Sequence, residues 1–148
     1  MIVNDTVDFH LRSTLFAMRR MYNLIAQEIG ITQGIGYALI NVGTEGMPAT
    51  KIGPLMGMTS SSLSRMLKKM EDDGMIYRKP DQEDKRIVRI FLTEEGKKLK
   101  DKIKEFVLEF NGKLFKKVAL KDLQTFERVN NAIKEQVKLE INIRKNKL

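Results

Sequence analysis

The sequence contains no cysteine and a single histidine, His10. The first absence excludes a disulfide and a thiol redox switch, and the second leaves no ligand set for a multi-histidine zinc site. No metal and no cofactor are expected, and His10 reads as an ordinary surface residue. No apolar run approaches the roughly 18 residues that a membrane span needs, and the opening MIVNDTVDFH lacks the basic-then-apolar layout of a secretion signal. The expected location is therefore the cytoplasm. A phosphate-cradling glycine loop, a nucleophile beside a histidine base and a metal-ligand cluster are all missing, so no catalysis is expected.

What is present fits a folded protein. The 148 residues suffice for one compact domain, or for a small lobe with helices appended. Apolar residues make up 42% and charged residues 31%, with no low-complexity tract. Lys and Arg number 27 against 19 acids, giving a formal charge of +8 and an attraction to polyanions. Charge alone specifies no partner; its placement along the chain must do that.

From Asp5 to Ile29 the apolar residues Phe9, Leu11, Leu15, Met18, Tyr22, Ile25 and Ile29 recur at spacings near three and four, the stripe of a long first helix. Gly30 breaks it, and Thr32 caps a second helix to about Val42, weakened at Gly34 and Gly36 by about 1 kcal/mol each relative to Ala. Residues 43–48 (GTEGMP) read as a loop, followed by a short helix from Lys51 to Met56 that Thr50 caps and Gly57 closes. With Thr50 as cap, Pro54 falls at the end of the first turn, where one missing N–H is tolerable. Leu63, Met66, Leu67 and Met70 then fall at i, i+3, i+4 and i+7 of a helix capped by Thr59 and stopped by Gly74. Met75–Lys79 and Arg86–Leu92 read as a hairpin around the polar turn PDQEDK. Thr93 caps a helix running to about Val118, and after Leu120 a final helix carries Leu123, Phe126, Ile133, Val137 and Ile141.

A short helix, a tight turn at Gly57 and Met58, and a second helix from Thr59 match a helix-turn-helix, whose second member enters the DNA major groove. At 100° per residue, Ser61, Arg65 and Lys68 point away from the apolar stripe, with Ser64 and Lys69 on the flanks. Thr59, Ser60, Ser61, Ser62 and Ser64 are short enough to admit backbone or base edges, and Arg65 can pair with guanine O6 and N7. Lys68 and Lys69 suit phosphate. The same face, taken alone, is also that of any solvated helix. Arg78, Asp84, Lys85 and Arg86 on the hairpin, with Lys79 and Arg89 nearby, suit a ribbon that projects an arginine into a narrow minor groove. Asp84 and Arg86 can equally pair on the surface, which would also aim the arginine.

The stretch Met56–Gly96 resembles the winged helix-turn-helix of the MarR (multiple antibiotic resistance regulator) family. The matching features are Gly57 before the turn, the Ser/Thr-rich recognition helix, the entry to the wing at Gly74–Arg78, the Asp84-Lys85-Arg86 tip, and Leu92-Thr93-Glu94-Glu95-Gly96. The resemblance implies a mainly α fold with a small β-hairpin wing, a winged helix-turn-helix in a triangular homodimer. Residues 31–96 would form the DNA-binding lobe, with 1–30 and 97–148 the helical dimerisation region. It further implies a repressor that binds double-stranded DNA at an imperfect palindrome and is released by a small-molecule effector. Arg19, Tyr22 and Tyr37 are candidate lining residues of an effector pocket, and are also read as core packing or surface. Two readings stay open beside it: a sequence-independent architectural DNA-binding protein, and a helical module that binds another protein. Gly53 and Pro54 depart from the family pattern and put the length of the motif's first helix in question.

Overall fold

The computed structural model describes Val3 and residues 6–147. Helix α1 (Val7–Glu28) starts where Thr6 Oγ1 accepts the Phe9 N–H at 3.4 Å; the expected start at Asp5 lies outside the described residues. Gly30, with φ of +74°, turns the chain into α2 (Gln33–Asn41), which Thr32 caps through the Ile35 N–H at 3.3 Å. Strand β1 (Met47–Pro48) and α3 (Ala49–Met56) follow. Next come α4 (Ser60–Asp72) and the two longer strands, β2 (Ile76–Pro80) and β3 (Val88–Leu92). Two long helices finish the chain, α5 (Glu94–Phe115) and α6 (Leu120–Lys145).

The sheet has the order β1-β3-β2 and is antiparallel throughout. Its register places Ile76 opposite Leu92, Arg78 opposite Ile90 and Pro80 opposite Val88, while Met47 and Pro48 face Ile90 and Arg89 from the other edge. Residues 43–48 are thus only partly the loop that composition suggests. Two residues are too few to show a strand period, and a proline at a sheet edge leaves no ladder bond broken. The same pairing corrects the start of α3, which begins at Ala49 with Pro48 in the cap position and no side-chain cap. Thr50 lies inside the helix, and Pro54 sits deep in it. The helix nevertheless closes at Gly57, with φ of +60°, where the Met58 N–H reaches the Gly53 carbonyl at 3.1 Å.

One core holds the lobe together. Ile35 and Leu39 from α2, Val42 just after it, Ile52 from α3, Leu67 and Met70 from α4, and Ile76, Ile90 and Leu92 from the strands are all buried. Each such side chain contributes about 1.5–3 kcal/mol by leaving water. The periodic residues of α4 are the ones facing this core, and they thereby fix which of its residues face outward. Lys100 adds a tie from α5, donating to the Val42 carbonyl at 2.6 Å beyond the end of α2.

The chain divides into two compact units, the first ending at Phe106 and the second beginning at Val107. In the second, α5 stops at Phe115, three residues short of the expected Val118, and α6 has no buried residue among those described. Phe126 is 61% exposed, and Val137 and Ile141 are half exposed, although all three belong to the apolar stripe. No helix among the described residues is long and apolar enough to cross a membrane.

Candidate nucleic-acid interface

Helix α4 owes its start to Thr59. The threonine Oγ1 accepts the Ser62 N–H at 3.3 Å, donates to Ser62 Oγ at 3.1 Å, and lies 3.3 Å from Ser61 Oγ. Thr59 and Ser62 are therefore occupied in holding the helix end, whereas Ser60 and Ser64 are exposed and make no side-chain hydrogen bond with another described residue. Arg65 is exposed in the same way, with no ion-pair partner among the described residues. Lys68 pairs with Asp72 at 3.1 Å and Lys69 with Asp73 at 2.8 Å, both on open surface. Exposed i,i+4 pairs are worth only about 0.3–0.5 kcal/mol, so either lysine can leave its acid for a phosphate at little cost.

Arg78 has a different environment. Its Nε lies 3.0 Å from Glu71 Oε2, which ties the end of α4 to β2. The acids at the carboxyl end of α4 are thus each matched to a cation, Glu71 to Arg78, Asp72 to Lys68 and Asp73 to Lys69.

The wing turn spans residues 81–87. Asp81 Oδ1 accepts the N–H groups of Glu83 at 2.9 Å and Asp84 at 3.2 Å, and the Asp81 N–H closes the turn on the Ile87 carbonyl at 2.8 Å. Asp84 in turn holds Arg86 in a fork: Oδ1 accepts from Nε at 3.0 Å, and Oδ2 from Nη2 at 2.9 Å. The arginine side chain is nevertheless 90% exposed. Lys85 beside it is exposed and unpaired among the described residues. Lys79 lies over the Tyr77 ring at 5.2 Å, and that ring stacks on Phe91 with centroids 5.4 Å apart.

Arg89 faces inward. Its Nη1 donates to Asp81 Oδ2 at 2.9 Å, while Nε and Nη2 reach the Glu45 carbonyl at 3.2 and 3.0 Å and Nη2 also reaches the Gly46 carbonyl at 3.2 Å. Sequence reasoning placed Arg89 only as a cation near the wing. Its carbonyl partners, Glu45 and Gly46, lie more than 40 residues earlier, and no local pattern signals them.

The carboxyls of Asp81 and Asp84 are held below the ordinary range. For Asp81 the main cause is the Arg89 hydrogen bond, followed by the N–H groups of Asp84 and Glu83. For Asp84 it is the Arg86 side chain and then the Arg86 N–H, and the same pairing raises Arg86. A carboxyl depressed on folding contributes stability that is whole above the unfolded value, near about 4, and lost as pH falls through the folded value. Acidification below about pH 4 is accordingly expected to loosen residues 83–86 before α4. Amide hydrogen exchange followed from pH 6 downward checks this, and equal protection loss in both segments would refute it.

The candidate effector residues lie on the first two helices. Arg19 is exposed on α1, Tyr22 is half-buried there with burial raising its hydroxyl pKa, and Tyr37 is exposed on α2. A separate cleft of about 290 Å³ opens behind the wing root, lined by Thr44, Tyr77, Phe91, Lys97 and Lys100 among others, and none of the three candidates borders it.

Comparison with known proteins places this arrangement in context. A family model described as MarR family matches residues 43–88. The chain is 34% identical over 103 residues to the organic hydroperoxide resistance transcriptional regulator of Bacillus subtilis (strain 168), a span covering 69% of this chain and 70% of that one. It is 39% identical over 59 residues to the HTH-type transcriptional regulator TtmR of Methylorubrum extorquens (strain PA1), covering 40% of this chain and 30% of that one. Among solved structures, the S. aureus MepR-DNA complex superposes with a TM-score of 0.81 at 19% identity, covering 92% of this chain and 99% of MepR. The transcriptional regulator SlyA superposes with a TM-score of 0.74 at 23% identity, covering 86% and 91%. These two structural likenesses speak to the fold alone.

Proposed function

Since this chain belongs to the MarR family of DNA-binding transcriptional regulators, we propose that it acts as a cytoplasmic, non-catalytic repressor that reads an imperfect palindrome in double-stranded DNA as a homodimer. One observation carries the reading: α4 turns its whole apolar stripe inward and leaves Ser60, Ser61, Ser64, Arg65, Lys68 and Lys69 outward, on a helix-turn-helix followed by a wing whose tip is Arg86. The serines let the helix approach the base edges, Arg65 is free to bind guanine in a bidentate fashion, and Lys68 and Lys69 suit phosphates. Thr59 and Ser62 support the helix from its cap. On the wing, Asp84 orients Arg86 toward the minor groove, with Lys85 beside it. Arg78, held by Glu71, serves this surface through its remaining guanidinium nitrogens.

Exposed apolar residues on α1 and α6 support the proposed dimer. Phe9, Leu15 and Phe16 on α1, and Phe126, Val137 and Ile141 on α6, are large side chains left in solvent, and isologous pairing would cover them. Residues 1–30 and 97–148 would then form the dimerisation region and residues 31–96 the reading lobe. Two lobes on a two-fold axis address half-sites about one helical turn apart.

The test is selection of bound sequences from a random duplex pool, with sedimentation of the free protein in parallel. The expected result is an enriched palindrome bound by a dimer, with specific over random binding of on the order of 10³ or more. A ratio near one would instead support sequence-independent coating of DNA, and a monomer that binds no duplex would support a protein-interaction module. The resemblance implies small phenolic or lipophilic effectors, as for many of the family, and the proposed release acts through a site near Arg19, Tyr22 and Tyr37. Displacement of the selected duplex by such compounds checks that part.

A further inference from the structure

We propose that Arg89 and Asp81 are positioning residues that set the bearing of the wing-tip Arg86, through a continuous chain of hydrogen bonds from the Glu45 and Gly46 carbonyls to the Arg86 guanidinium. The chain begins where Arg89 Nε and Nη2 grip those two carbonyls on the segment leading into β1. Arg89 Nη1 passes it to Asp81 Oδ2 at 2.9 Å. The other oxygen of Asp81 takes the Asp84 N–H at 3.2 Å, and the Asp84 carboxylate takes the Arg86 fork at 3.0 and 2.9 Å.

Exposure of the side chains falls along this chain from 90% at Arg86 through 37% at Asp84 to 14% at Asp81, with Arg89 at 26%. The Asp81–Arg89 pair is therefore much less exposed than the tip, and its charge-assisted bonds are correspondingly better able to hold their geometry, while the tip stands free to meet a partner. Register supports the same role: β3 places Arg89 directly between Pro48 of β1 and Lys79 of β2, at the middle of the sheet. Anchored to both edges of its own strand, Arg89 holds the turn against the segment before β1. A long, exposed arginine that arrives already oriented loses less freedom on binding. Direct contact of Arg89 with phosphate is disfavoured, because all three of its nitrogens are already engaged.

The inference rests on the reading that Arg86 enters the minor groove, and the experiment separates the two. Asp81→Asn, Arg86→Ala and the double variant are compared with the parent for affinity to the selected operator duplex at one salt concentration, with thermal unfolding measured on each. By charge alone, removing an acid from a DNA-binding lobe tightens binding, so a loss on Asp81→Asn points to geometry. The expected result is a loss of about tenfold for Asp81→Asn in the parent, but less than about twofold in the Arg86→Ala background, since an arginine that is gone cannot be mis-aimed. Arg89→Lys, which keeps the charge and cannot reproduce the fork, is expected to match Asp81→Asn. This second variant carries the test if Asp81→Asn does not fold. Equal losses in both backgrounds, or no loss in either positioning variant, would overturn the proposal and leave Arg86 in the groove. An Arg86→Ala variant with parental affinity would instead remove the groove reading, and the proposal with it.

Discussion

Raising monovalent salt from about 50 to about 200 mM is expected to weaken operator binding by about 10³ to 10⁵. The magnitude follows from counting cations that can reach phosphate. Arg65 and Lys85 have no carboxylate partner among the described residues; Lys68 and Lys69 hold weak exposed pairs; Arg86 is oriented by Asp84 yet open to solvent. These five per protomer give ten in the proposed dimer, an upper bound from which the neighbouring acids subtract. Neutralising six to ten phosphates gives a slope of log K on log salt of about −5 to −9, and the concentration change is fourfold. A slope shallower than about −3 would mean that the lysines stay with Asp72 and Asp73, and that most of the +8 charge lies away from DNA. Arg65→Ala separates its two possible roles in the same titration. If the arginine reads guanine, its loss costs about 1–3 kcal/mol and relaxes preference at one position with little change in slope; if it binds phosphate, the slope falls by about 1 and preference survives.

Much of this surface is legible in the sequence alone. The stripe Leu63, Met66, Leu67 and Met70 fixes one face of α4 by period alone, and the opposite face follows from the same arithmetic. Thr32, Thr59 and Thr93 were readable as caps because a hydroxyl at the edge of an apolar period has few other uses, and each accepts an N–H three residues on. Pairing across distance was not legible. β1 has no period to detect, so composition alone starts α3 two residues late, at Lys51, with Thr50 as its cap. Arg78 and Arg89 look alike in sequence, both basic residues flanking a polar turn, yet one joins a helix to a strand and the other secures the turn from within. What separates them is the acid or carbonyl that the fold brings near.

Gly96 is a further case in which sequence gave a pattern and the structure gives its cause. It is buried in the first turn of α5, and a Cβ built there would fall on the Met75 carbonyl, a backbone atom that cannot swing aside as a side-chain tip would. The surroundings are equally fixed. Thr93 donates its N–H to that same carbonyl at 3.1 Å and its hydroxyl to the Gly74 carbonyl at 2.6 Å, then accepts the Gly96 N–H at 3.0 Å. This joint fastens the start of α5 to the entry of β2, and hence to the root of the wing.

Gly96→Ala is accordingly expected to destabilise the protein by about 3 kcal/mol, against the gain of about 1 kcal/mol that alanine brings to a helix. Moving α5 off the strand strains the core at Leu92 and stretches two or more hydrogen bonds worth about 1 kcal/mol each. For a chain of this size the melting temperature should fall by about 10 °C. Gly34→Ala is the matched control. A Cβ at Gly34 meets Met56 Cε and Met66 Sδ at 3.7 Å, ordinary contacts with flexible tips, so there the helix gain prevails and the melting temperature should hold or rise by a few degrees. Thermal unfolding followed by circular dichroism reads both variants. If Gly96→Ala melts with the parent, the Met75 carbonyl can yield, and the wing root is not clamped to α5 in the way these bonds describe.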